Sequence, residues 1–396
     1  MAKIGIYVPS NLEYYGGGER IAIDLANFLK REGHDVSIIG DRASSGTNRV
    51  EKEFVDSILS VNYELVDYVN NSSFLPKTVV QRRPPIAILG SFDLNLVFVQ
   101  RLPERKYVNR LNELGIKVVF LLHGITFEHL SLHSGQFFVY NVLMRLILLR
   151  NARTYARDGI CFQVLNELTA SALADSGIPR DRIYLIKNGI SMNPAASTSN
   201  MKTFKVLWIG RIEDRQKGIK RLIKVCEKLE NTKNVDNIEL MVAGNGSDAA
   251  LVQKASQRLK ILNYLSYVSE GEKASLLKEA HLFVLTSNSE PFSIAILEAL
   301  SNGIPFVSTP VSGALSVVQL DQSFGLISTF KPTDIAASIL KFHQRWNSDS
   351  NQYLFERQQR MDKAKSMLTF QKTMESYRSL VEHCLFQFPS LHDKTY

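Results

Sequence analysis

Two carboxylates in the second half of the sequence have the type and spacing to bind hydroxyl groups. Glu290 follows a short apolar run, residues 281–286, and Glu298 lies eight residues further on, in a predicted helix. Helical geometry would separate them by roughly 10–12 Å along the axis, about the length of a nucleotide-sugar. Ionised carboxylates accept hydrogen bonds from sugar or ribose hydroxyls. The same spacing also fits a helix cap followed by a solvated glutamate.

The elements around these carboxylates would be a strand, a loop and a helix. The apolar run predicts a buried parallel strand, and Pro291 favours a helix that begins there, because the first helical position needs no backbone donor. Gly303 would end this helix. The amides of Phe292, Ser293 and Ile294 would then point outward at the positive end of the helix dipole, a position that suits an anion or a sugar hydroxyl.

Two cations follow an earlier strand in a similar way. The apolar stretch that opens at Phe204 predicts a strand, and Gly210, Arg211 and Lys217 come after it, before a helix predicted at Ile219–Leu229. Arginine can bind a phosphate through two hydrogen bonds, and lysine acts as a point charge, so the pair could hold a diphosphate. Two solvated surface cations would give the same pattern.

A glycine-rich turn lies near the amino terminus. Gly16, Gly17 and Gly18 separate a strand predicted at Lys3–Val8 from a helix predicted at Arg20–Arg31. Glycines let a phosphate or an acceptor approach the backbone closely. A plain flexible turn is the alternative.

Two further positions fit ligand binding more weakly. His123 follows the strand predicted at Lys117–Leu122, at the strand end where α/β proteins bind ligands; a satisfied imidazole is the alternative. Gly244 opens a Gly-x-Gly-x-x-Ala pattern after the strand Ile238–Ala243, with Glu270 further on, which partly matches a dinucleotide-binding fingerprint.

The rest of the pattern alternates strands with helices, which predicts parallel sheets covered by helices on both faces. Further predicted strands are Asp35–Ile39, Ile86–Gly90, Ile160–Leu165, Arg182–Lys187 and Leu265–Val268. Further predicted helices are Pro103–Leu114, Phe137–Tyr155, Glu272–Ala280, Asp334–Phe342 and Leu354–Phe386. Residues 191–200 lack periodicity and predict an interdomain linker.

The predicted helix Phe137–Tyr155 combines apolar residues with arginines. It could lie on an anionic membrane surface. The alternative, which we favour, is a helix packed on the sheet with its arginines outward. Its buried stripe would then contain Phe137, Val139, Val142, Leu143, Leu146 and Leu149.

Composition narrows the function classes. A chain of 396 residues fits two domains, and a net charge of +8 favours anionic partners. The three cysteines have no metal-ligand spacing, which favours a reducing compartment and a chain without metal. The amino terminus lacks a signal-peptide pattern and no stretch predicts a membrane-spanning helix, so we expect a cytoplasmic protein.

Several of these motifs together resemble the retaining glycosyltransferases of family 4. The resemblance rests on the Glu-x7-Glu pair followed by Ala-Leu-Ser-x-Gly-x-Pro, the Gly-Arg and Lys-Gly pairs around residues 210–218, the Gly-Gly-x-Glu-Arg opening, and the histidine after the Lys117–Leu122 strand. It covers nearly the whole chain, with the motifs in order. Thr286, Pro291 and Ser316 depart from the family pattern and leave the donor open.

The resemblance implies an α/β protein of the GT-B fold, with two Rossmann-like domains whose parallel sheets face a central cleft. Residues 1–189, with a carboxyl-terminal helix at about 366–396, would form the acceptor-side domain, and residues 190–365 would bind the nucleotide-sugar. The implied reaction moves a sugar from a nucleoside diphosphate to an acceptor hydroxyl with retention of configuration. Polysaccharide or cell-envelope glycan synthesis, such as capsule or exopolysaccharide assembly, is the expected setting.

Residue roles also follow from the resemblance. Glu290 and His123 would act on the transferred sugar, Glu298 on the ribose, and Arg211 and Lys217 on the diphosphate. Gly210, Gly244, Phe292, Ser293 and Ile294 would complete the donor site, and Gly16, Gly17 and Gly18 the acceptor or phosphate loop. The chain has no Asp-x-Asp motif, so we expect neither an essential metal nor another cofactor.

The expected partners are the nucleotide-sugar donor and a glycan, lipid-linked or protein acceptor. A peripheral contact with the inner membrane face stays open. Three alternatives remain: a GT-B sugar-nucleotide epimerase, a nicotinamide-dependent oxidoreductase that uses the Gly244 turn, and a nucleic-acid-binding protein. The last ranks lowest because the cations are scattered and no stacking motif is present.

Overall fold

The structure is a computed structural model of the whole chain. It describes residues 1–8, 17–41, 59–66, 93–100, 105–123, 136–190, 202–232 and 237–386. The chain forms two compact units. Unit 1 comprises Met1–Phe127, Val139–Lys187 and Gln371–Tyr396, and unit 2 comprises Glu128–Phe138 and Asn188–Phe370.

Unit 1 is built on a parallel sheet of seven strands in the order β3-β2-β1-β4-β5-β6-β7. The order reverses between β1 and β4, as in doubly wound nucleotide-binding sheets. The central strands are apolar throughout because helices cover both faces. The strands are β1 (Lys3–Val8), β2 (Asp35–Asp41), β3 (Asn62–Val66), β4 (Leu96–Val99), β5 (Lys117–Leu121), β6 (Cys161–Val164) and β7 (Ile183–Leu185).

Two of these strands were not predicted. Leu96–Val99 is a fully buried four-residue strand, and Asn62–Val66 extends the sheet beyond β2. Both are too short for periodicity to identify them. The predicted strand Ile86–Gly90 lies outside the described residues.

The first helix of unit 1 begins earlier than the sequence predicted. The first helix begins at Gly17, so Gly17 and Gly18 are helical rather than part of a loop, and the Gln100 amide donates to the Gly18 carbonyl at 3.0 Å. Gly16 lies outside the described residues. The helices are α1 (Gly17–Arg31), α2 (Arg105–Glu113), α3 (Gln136–Arg157) and α4 (Glu167–Asp175).

The buried face of α3 differs from the predicted stripe. Leu143, Leu146 and Leu149 are exposed, whereas Leu148, Ala152 and Tyr155 are buried. Val142 is half-buried, and the side chains of Phe137 and Val139 lie outside the described residues. The helix carries two apolar stripes. The stripe that contains Tyr155 packs against the core, where Tyr155 contacts Phe120 and Phe162.

Unit 2 is built on a parallel sheet of six strands in the order β10-β9-β8-β11-β12-β13. Its order reverses between β8 and β11. The short strand expected at Leu265–Val268 begins earlier, at Leu262. The strands are β8 (Phe204–Ile209), β9 (Ile238–Ala243), β10 (Leu262–Ser266), β11 (Leu282–Leu285), β12 (Phe306–Ser308) and β13 (Gly325–Ile327).

Helices pack on both faces of this sheet. Arg357, buried on the last long helix of the unit, donates to the carbonyls of Leu277, Ala280 and Asn302 and so joins the ends of two other helices. The helices are α5 (Asp214–Lys217), α6 (Ile219–Glu230), α7 (Ala249–Ser256), α8 (Glu270–Glu279), α9 (Ile294–Ser301), α10 (Ser312–Leu320), α11 (Pro332–Ser348) and α12 (Ser350–Met367).

The carboxyl-terminal helix α13 (Phe370–Phe386) packs within unit 1 from Gln371 onward. Arg378 pairs with Glu32 at 2.7 Å, and its guanidinium lies over the Phe28 ring. Tyr377 packs edge-on against Phe98. These contacts join the end of the chain to α1 and β4. The predicted interdomain linker, residues 191–200, lies outside the described residues.

Candidate active site

The candidate site lies where the strand order of unit 2 reverses. Strands β8 and β11 are neighbours, with Leu282 and Phe283 opposite Val206 and Leu207. Their following loops, residues 210–218 and 286–293, therefore meet at the carboxyl edge of the sheet, which is where open α/β sheets bind ligands. The first loop carries the predicted phosphate-binding cations and the second carries Glu290.

The structure brings Lys217 and Glu290 into direct contact. The Lys217 Nζ lies 2.5 Å from the Glu290 Oε2, although the two residues are 73 positions apart in sequence. Both side chains are largely buried, with 19% and 10% of their surface exposed. In this environment the ion pair is weakly screened, and each partner depends on the other for its charge to be tolerated.

Glu298 is paired with a lysine that the sequence did not suggest. Lys273, on α8, lies 2.8 Å from the Glu298 Oε1 and also contacts Glu270. Burial lowers the pKa of Lys273, but the two carboxylates outweigh it and leave the pKa above its usual value. The only sequence signal was the position of Lys273 in the first turn of the helix predicted at Glu272–Ala280, which does not reveal a partner 25 residues away.

Arg211 is the more accessible cation of the site. Its Nη2 lies 2.9 Å from the Gln216 Oε1 and 3.0 Å from the Glu213 carboxylate. The side chain is 51% exposed, so the remaining guanidinium donors face solvent. Arg211 thus lies in the loop after β8 and Lys217 at the end of the short helix α5, with Lys217 anchored against Glu290 and Arg211 open to an incoming anion.

A hydrogen-bond network fixes this loop to the one that carries Glu290. The Asn288 amide nitrogen donates to the carbonyls of Asp214 and Arg215, and the Asn288 backbone N–H donates to the carbonyl of Gln216 at 2.7 Å. The Thr286 hydroxyl donates to the Lys217 carbonyl at 3.0 Å. The two loops therefore form one unit that holds Lys217 beside the carboxylate.

Arg221 supports the same network from helix α6. Its guanidinium donates to the Thr286 carbonyl at 2.6 Å, to the Asn288 Oδ1 at 2.8 Å and to the Phe330 carbonyl at 2.9 Å. The Asn288 oxygen is thereby committed to Arg221, which leaves its amide nitrogen to face Asp214 and Arg215. In the sequence, Arg221 is only a basic residue on a predicted helix, and nothing local marks it as part of the site.

The start of helix α9 corrects the prediction for the helix dipole. The helix begins at Ile294 rather than at Pro291, and Ser293 is the N-cap, whose hydroxyl accepts from the Ile296 amide. Of the three predicted amides only that of Ile294 belongs to the helix, and the side chains of Phe292 and Ser293 are buried. Serine supplies the cap that proline cannot.

Gly313, on helix α10, also holds the loop that carries Glu290. Its amide donates to the Glu290 carbonyl at 2.9 Å. A Cβ at this position would lie 2.6 Å from the Phe292 Cα and 2.8 Å from the Glu290 oxygen. Helix α10 can approach this loop only because residue 313 lacks a side chain.

The Gly244 turn is packed against the loop that follows β8 rather than open. A Cβ on Gly244 would lie 1.9 Å from the Gly210 carbonyl oxygen, and one on Gly246 would lie 2.3 Å from the Ile212 oxygen. The Gly210 amide also donates to the Ala243 carbonyl. These glycines therefore allow two loops of unit 2 to meet, and this removes the support that the Gly-x-Gly pattern lent to a nicotinamide-binding oxidoreductase.

His123 lies two residues after β5 in unit 1 and is neutral. The Gln163 amide nitrogen donates to the carbonyls of Val164 and Ile186, so the Gln163 Oε1, 2.7 Å from the His123 Nε2, must accept the imidazole proton. Burial lowers the pKa of His123 to about 4. Its buried Nδ1 is left as an acceptor without a hydrogen-bond partner among the described residues.

We expect stability to fall as the pH decreases from 6.5 towards 4. Burial lowers the pKa of both His123 and His281 to about 4, so the unfolded chain binds more protons in this window. Each histidine would contribute up to about 1.4 kcal/mol per pH unit to the slope of the unfolding free energy. Urea unfolding at a series of pH values would measure it. His123→Gln should remove its share, and an unchanged slope would contradict the assignment.

Two family models match consecutive parts of the chain. The model described as Glycosyltransferase Family 4 matches residues 15–193, and the model described as Glycosyl transferases group 1 matches residues 191–364. Together the two matches run from the glycine-rich opening to helix α12. The chain belongs to the family 4 glycosyltransferases.

Similar proteins match most of the length of this glycosyltransferase. A phosphatidyl-myo-inositol mannosyltransferase of Mycobacterium tuberculosis is 22% identical over 344 residues, which is 85% of each chain. The solved structure of Anabaena HepE in complex with UDP and glucose has a TM-score of 0.67 at 16% identity and covers 96% of this chain and 100% of its own. WaaG, a glycosyltransferase involved in lipopolysaccharide biosynthesis, has a TM-score of 0.64 at 14% identity, with 97% and 100% covered. Both solved structures are of glycosyltransferases with the GT-B fold, and the chain described here has the same fold.

Two features are absent from the described part of the glycosyltransferase. No helix there is both long and apolar enough to cross a bilayer. No group of three or more metal-ligating side chains is found among the same residues.

Proposed function

We propose that this glycosyltransferase moves a sugar from a nucleoside diphosphate to an acceptor hydroxyl with retention of configuration. The observation that carries the proposal is the contact between Lys217 and Glu290 at the strand-order reversal of unit 2, with Arg211 open beside it. A cationic loop next to a hydroxyl-binding carboxylate suits a ligand with a diphosphate joined to a sugar. The similarity to HepE, whose structure is a complex with UDP and glucose, supports the same donor class.

The diphosphate would bind at Arg211 and Lys217. Negative charge grows on the leaving phosphate as its bond to the sugar breaks, and pre-positioned cations stabilise that charge without reorganisation. Arg211 offers solvent-facing donors, and the amide of Ile294 lies at the start of helix α9. We therefore propose that the reaction needs no divalent metal.

The two carboxylates would bind the two sugars of the donor. Lys217 contacts one oxygen of Glu290, and Lys273 contacts one oxygen of Glu298. An ionised carboxylate accepts several hydrogen bonds, so each group can accept from ligand hydroxyls as well as from its lysine. We assign Glu290 to the transferred sugar and Glu298 to the ribose. We propose that the Nδ1 of His123 accepts a hydrogen bond from a ligand hydroxyl.

The chemical step would take place on one face of the sugar. The bond between the anomeric carbon and the phosphate oxygen breaks, and a bond from that carbon to the acceptor oxygen forms on the same side. The acceptor proton passes to the leaving phosphate. Glu290 would orient the sugar rather than attack it, because a double-displacement pair of carboxylates lies about 5 Å apart and the sequence spacing of Glu290 and Glu298 predicts a larger separation.

The setting of the reaction is proposed from the relatives. The mycobacterial relative is a phosphatidyl-myo-inositol mannosyltransferase, and WaaG is involved in lipopolysaccharide biosynthesis. We propose a glycan or lipid-linked acceptor and a role in polysaccharide or cell-envelope glycan synthesis at the cytoplasmic face of the membrane.

A thermal-shift screen of UDP-, GDP-, ADP- and dTDP-sugars would identify the donor. A ligand at one hundred times its dissociation constant stabilises the folded state by about 2.7 kcal/mol. We expect one nucleotide-sugar series to raise the melting temperature, Arg211→Ala to weaken the effect, and EDTA to leave it unchanged.

Product analysis would then separate the reactions. NMR of the product should show the anomeric configuration of the donor in an acceptor-linked sugar. A free epimerised sugar nucleotide would indicate the epimerase instead, and stabilisation by a nicotinamide dinucleotide alone would indicate the oxidoreductase.

A further inference from the structure

Two cysteines from distant parts of the sequence meet inside unit 1. Cys161 is the first residue of β6, and Cys384 lies in the last turn of α13. Both side chains are buried, and their thiol groups form a hydrogen bond with each other. The contact therefore pairs two of the three cysteines of the chain.

The packing of neighbouring residues holds the two elements together at this point. His383, next to Cys384, packs edge-on against Tyr184 on β7, with the ring centroids 5.5 Å apart. Strand β7 is the neighbour of β6 in the sheet, and Tyr184 lies opposite Gln163 there. The contact between His383 and Tyr184 thus fixes the end of α13 beside the strand that begins with Cys161.

A cation makes the two thiols chemically unequal. Arg182, just before β7, donates to the Gly159 carbonyl at 3.1 Å and to the Cys161 Sγ. The hydrogen bond from Cys384 lowers the pKa of Cys161, and the charge of Arg182 lowers it further, although burial opposes both. The same hydrogen bond, together with burial, raises the pKa of Cys384. Cys161 therefore loses its proton more easily and is the better nucleophile.

We propose that Cys161 and Cys384 form a reversible disulfide when a peroxide oxidises the pair. The Cys161 thiolate attacks one peroxide oxygen and the O–O bond breaks. This gives a sulfenic acid and a hydroxide, which takes up the proton that Cys161 released. The Cys384 thiol then attacks the sulfenic sulfur, an S–S bond forms, and the hydroxyl group leaves as water with the Cys384 proton. One hydrogen peroxide thus accepts two electrons, and two thiols become one disulfide and two waters.

The position of the pair near a helix end gives a small oxidant access. Cys384 is two residues from the end of α13 at Phe386, and helix ends open locally more easily than helix centres. The disulfide would tie the last turn of α13 to β6, and the covalent ring would contain the whole segment Asn188–Phe370 of unit 2. Release of the carboxyl-terminal helix from unit 1 would be blocked while the bond persists.

Treatment of the full chain with hydrogen peroxide would test the pair. We expect the number of thiols titrated in denaturant to fall from three to one, while the protein migrates as a single chain on a non-reducing gel. Mass spectrometry of a tryptic digest should show the peptide with Cys161 linked to the peptide with Cys384, and dithiothreitol should separate them. Cys226, fully buried in the core of unit 2, is the internal control and should stay free.

Substitutions on the same chain provide matched controls. Cys161→Ser and Cys384→Ser should each abolish the linked peptide, whereas Cys226→Ser should form it at the natural rate. Arg182→Met should slow disulfide formation several-fold, because it removes the positive charge that favours the Cys161 thiolate. Arg180→Met, an exposed position in the same turn, should leave the rate unchanged.

A disulfide between two chains, oxidation of Cys226 at the same rate, or three free thiols after treatment would overturn the proposal. Amide hydrogen exchange in the last turn of α13 should slow on oxidation and recover with dithiothreitol, and unchanged exchange would refute the constraint on this helix. None of these measurements needs a donor or an acceptor, so their outcome is separate from that of the proposed reaction.

Discussion

Glu290→Ala is expected to lower the transfer rate by about 10²–10³-fold, the usual effect of removing one pre-positioned electrostatic contact in an active site. The mutation removes the carboxylate proposed to orient the sugar. It also leaves Lys217 without the anion that lies 2.5 Å from it in a largely buried position. The rate would be measured by release of nucleoside diphosphate once the donor is known.

Two further variants separate the sugar contact from the ion pair. Glu290→Gln keeps a side chain of the same shape but not the charge, and we expect it to fold and still lose at least about tenfold in rate. Lys217→Met should raise the Michaelis constant for the donor, since it removes a phosphate contact. Because the two residues touch, their double-mutant effect should be smaller than the sum of the single effects.

Glu279 provides a control for the loss of an ion pair as such. It lies 2.6 Å from Lys205 in the same unit, at the opposite end of the sheet and more exposed. Glu279→Ala should leave transfer unchanged and cost no more than about 1 kcal/mol, as is usual for exposed pairs. Transfer by Glu290→Ala at the natural rate would exclude the proposed role of Glu290.

Gly218→Ala is expected to destabilise unit 2 by several kcal/mol and to abolish donor-induced stabilisation. Gly218 has a φ of +66°, and a Cβ there would lie 2.1 Å from the Thr286 carbonyl oxygen. That oxygen accepts a hydrogen bond from Arg221. A methyl group would therefore separate the loop that carries Lys217 from the loop that carries Glu290, in addition to straining the backbone.

Gly33→Ala is the matched control for this substitution. Gly33 has a φ of +86°, and a Cβ there meets nothing within 4 Å. The substitution should destabilise the folded state by roughly 1–2 kcal/mol, because alanine disfavours the left-handed backbone conformation. It should leave the donor-induced stabilisation intact. Thermal unfolding of both variants with and without donor measures the two contributions. If Gly218→Ala behaved like Gly33→Ala, the close approach of the two loops would not matter for the site.

Local sequence signals located most of the elements of unit 2. The run at Ile238–Ala243 became β9 with the predicted bounds, and the stretch that opens at Phe204 became β8, because buried parallel strands are largely apolar. The helix predicted at Ile219–Leu229 also began at Ile219. The predicted start of α9 was wrong. The hydroxyl of Ser293 caps the helix at Ile294, and this cap outweighed the preference of Pro291 for the first helical position.

The sequence by itself determined which residue types could bind a donor: the carboxylates Glu290 and Glu298 and the cations Arg211 and Lys217, each in a loop or helix that follows a strand. Local pattern is enough for this, since strand ends and helix starts are properties of short segments. Only the tertiary structure decided that Lys217 pairs with Glu290, that Lys273 pairs with Glu298, and that the leucines of α3 face outward. The two ion pairs join residues that are distant in sequence, so no local pattern can reveal them. Helix α3 carries two apolar stripes, and packing against the sheet decides which of them is buried.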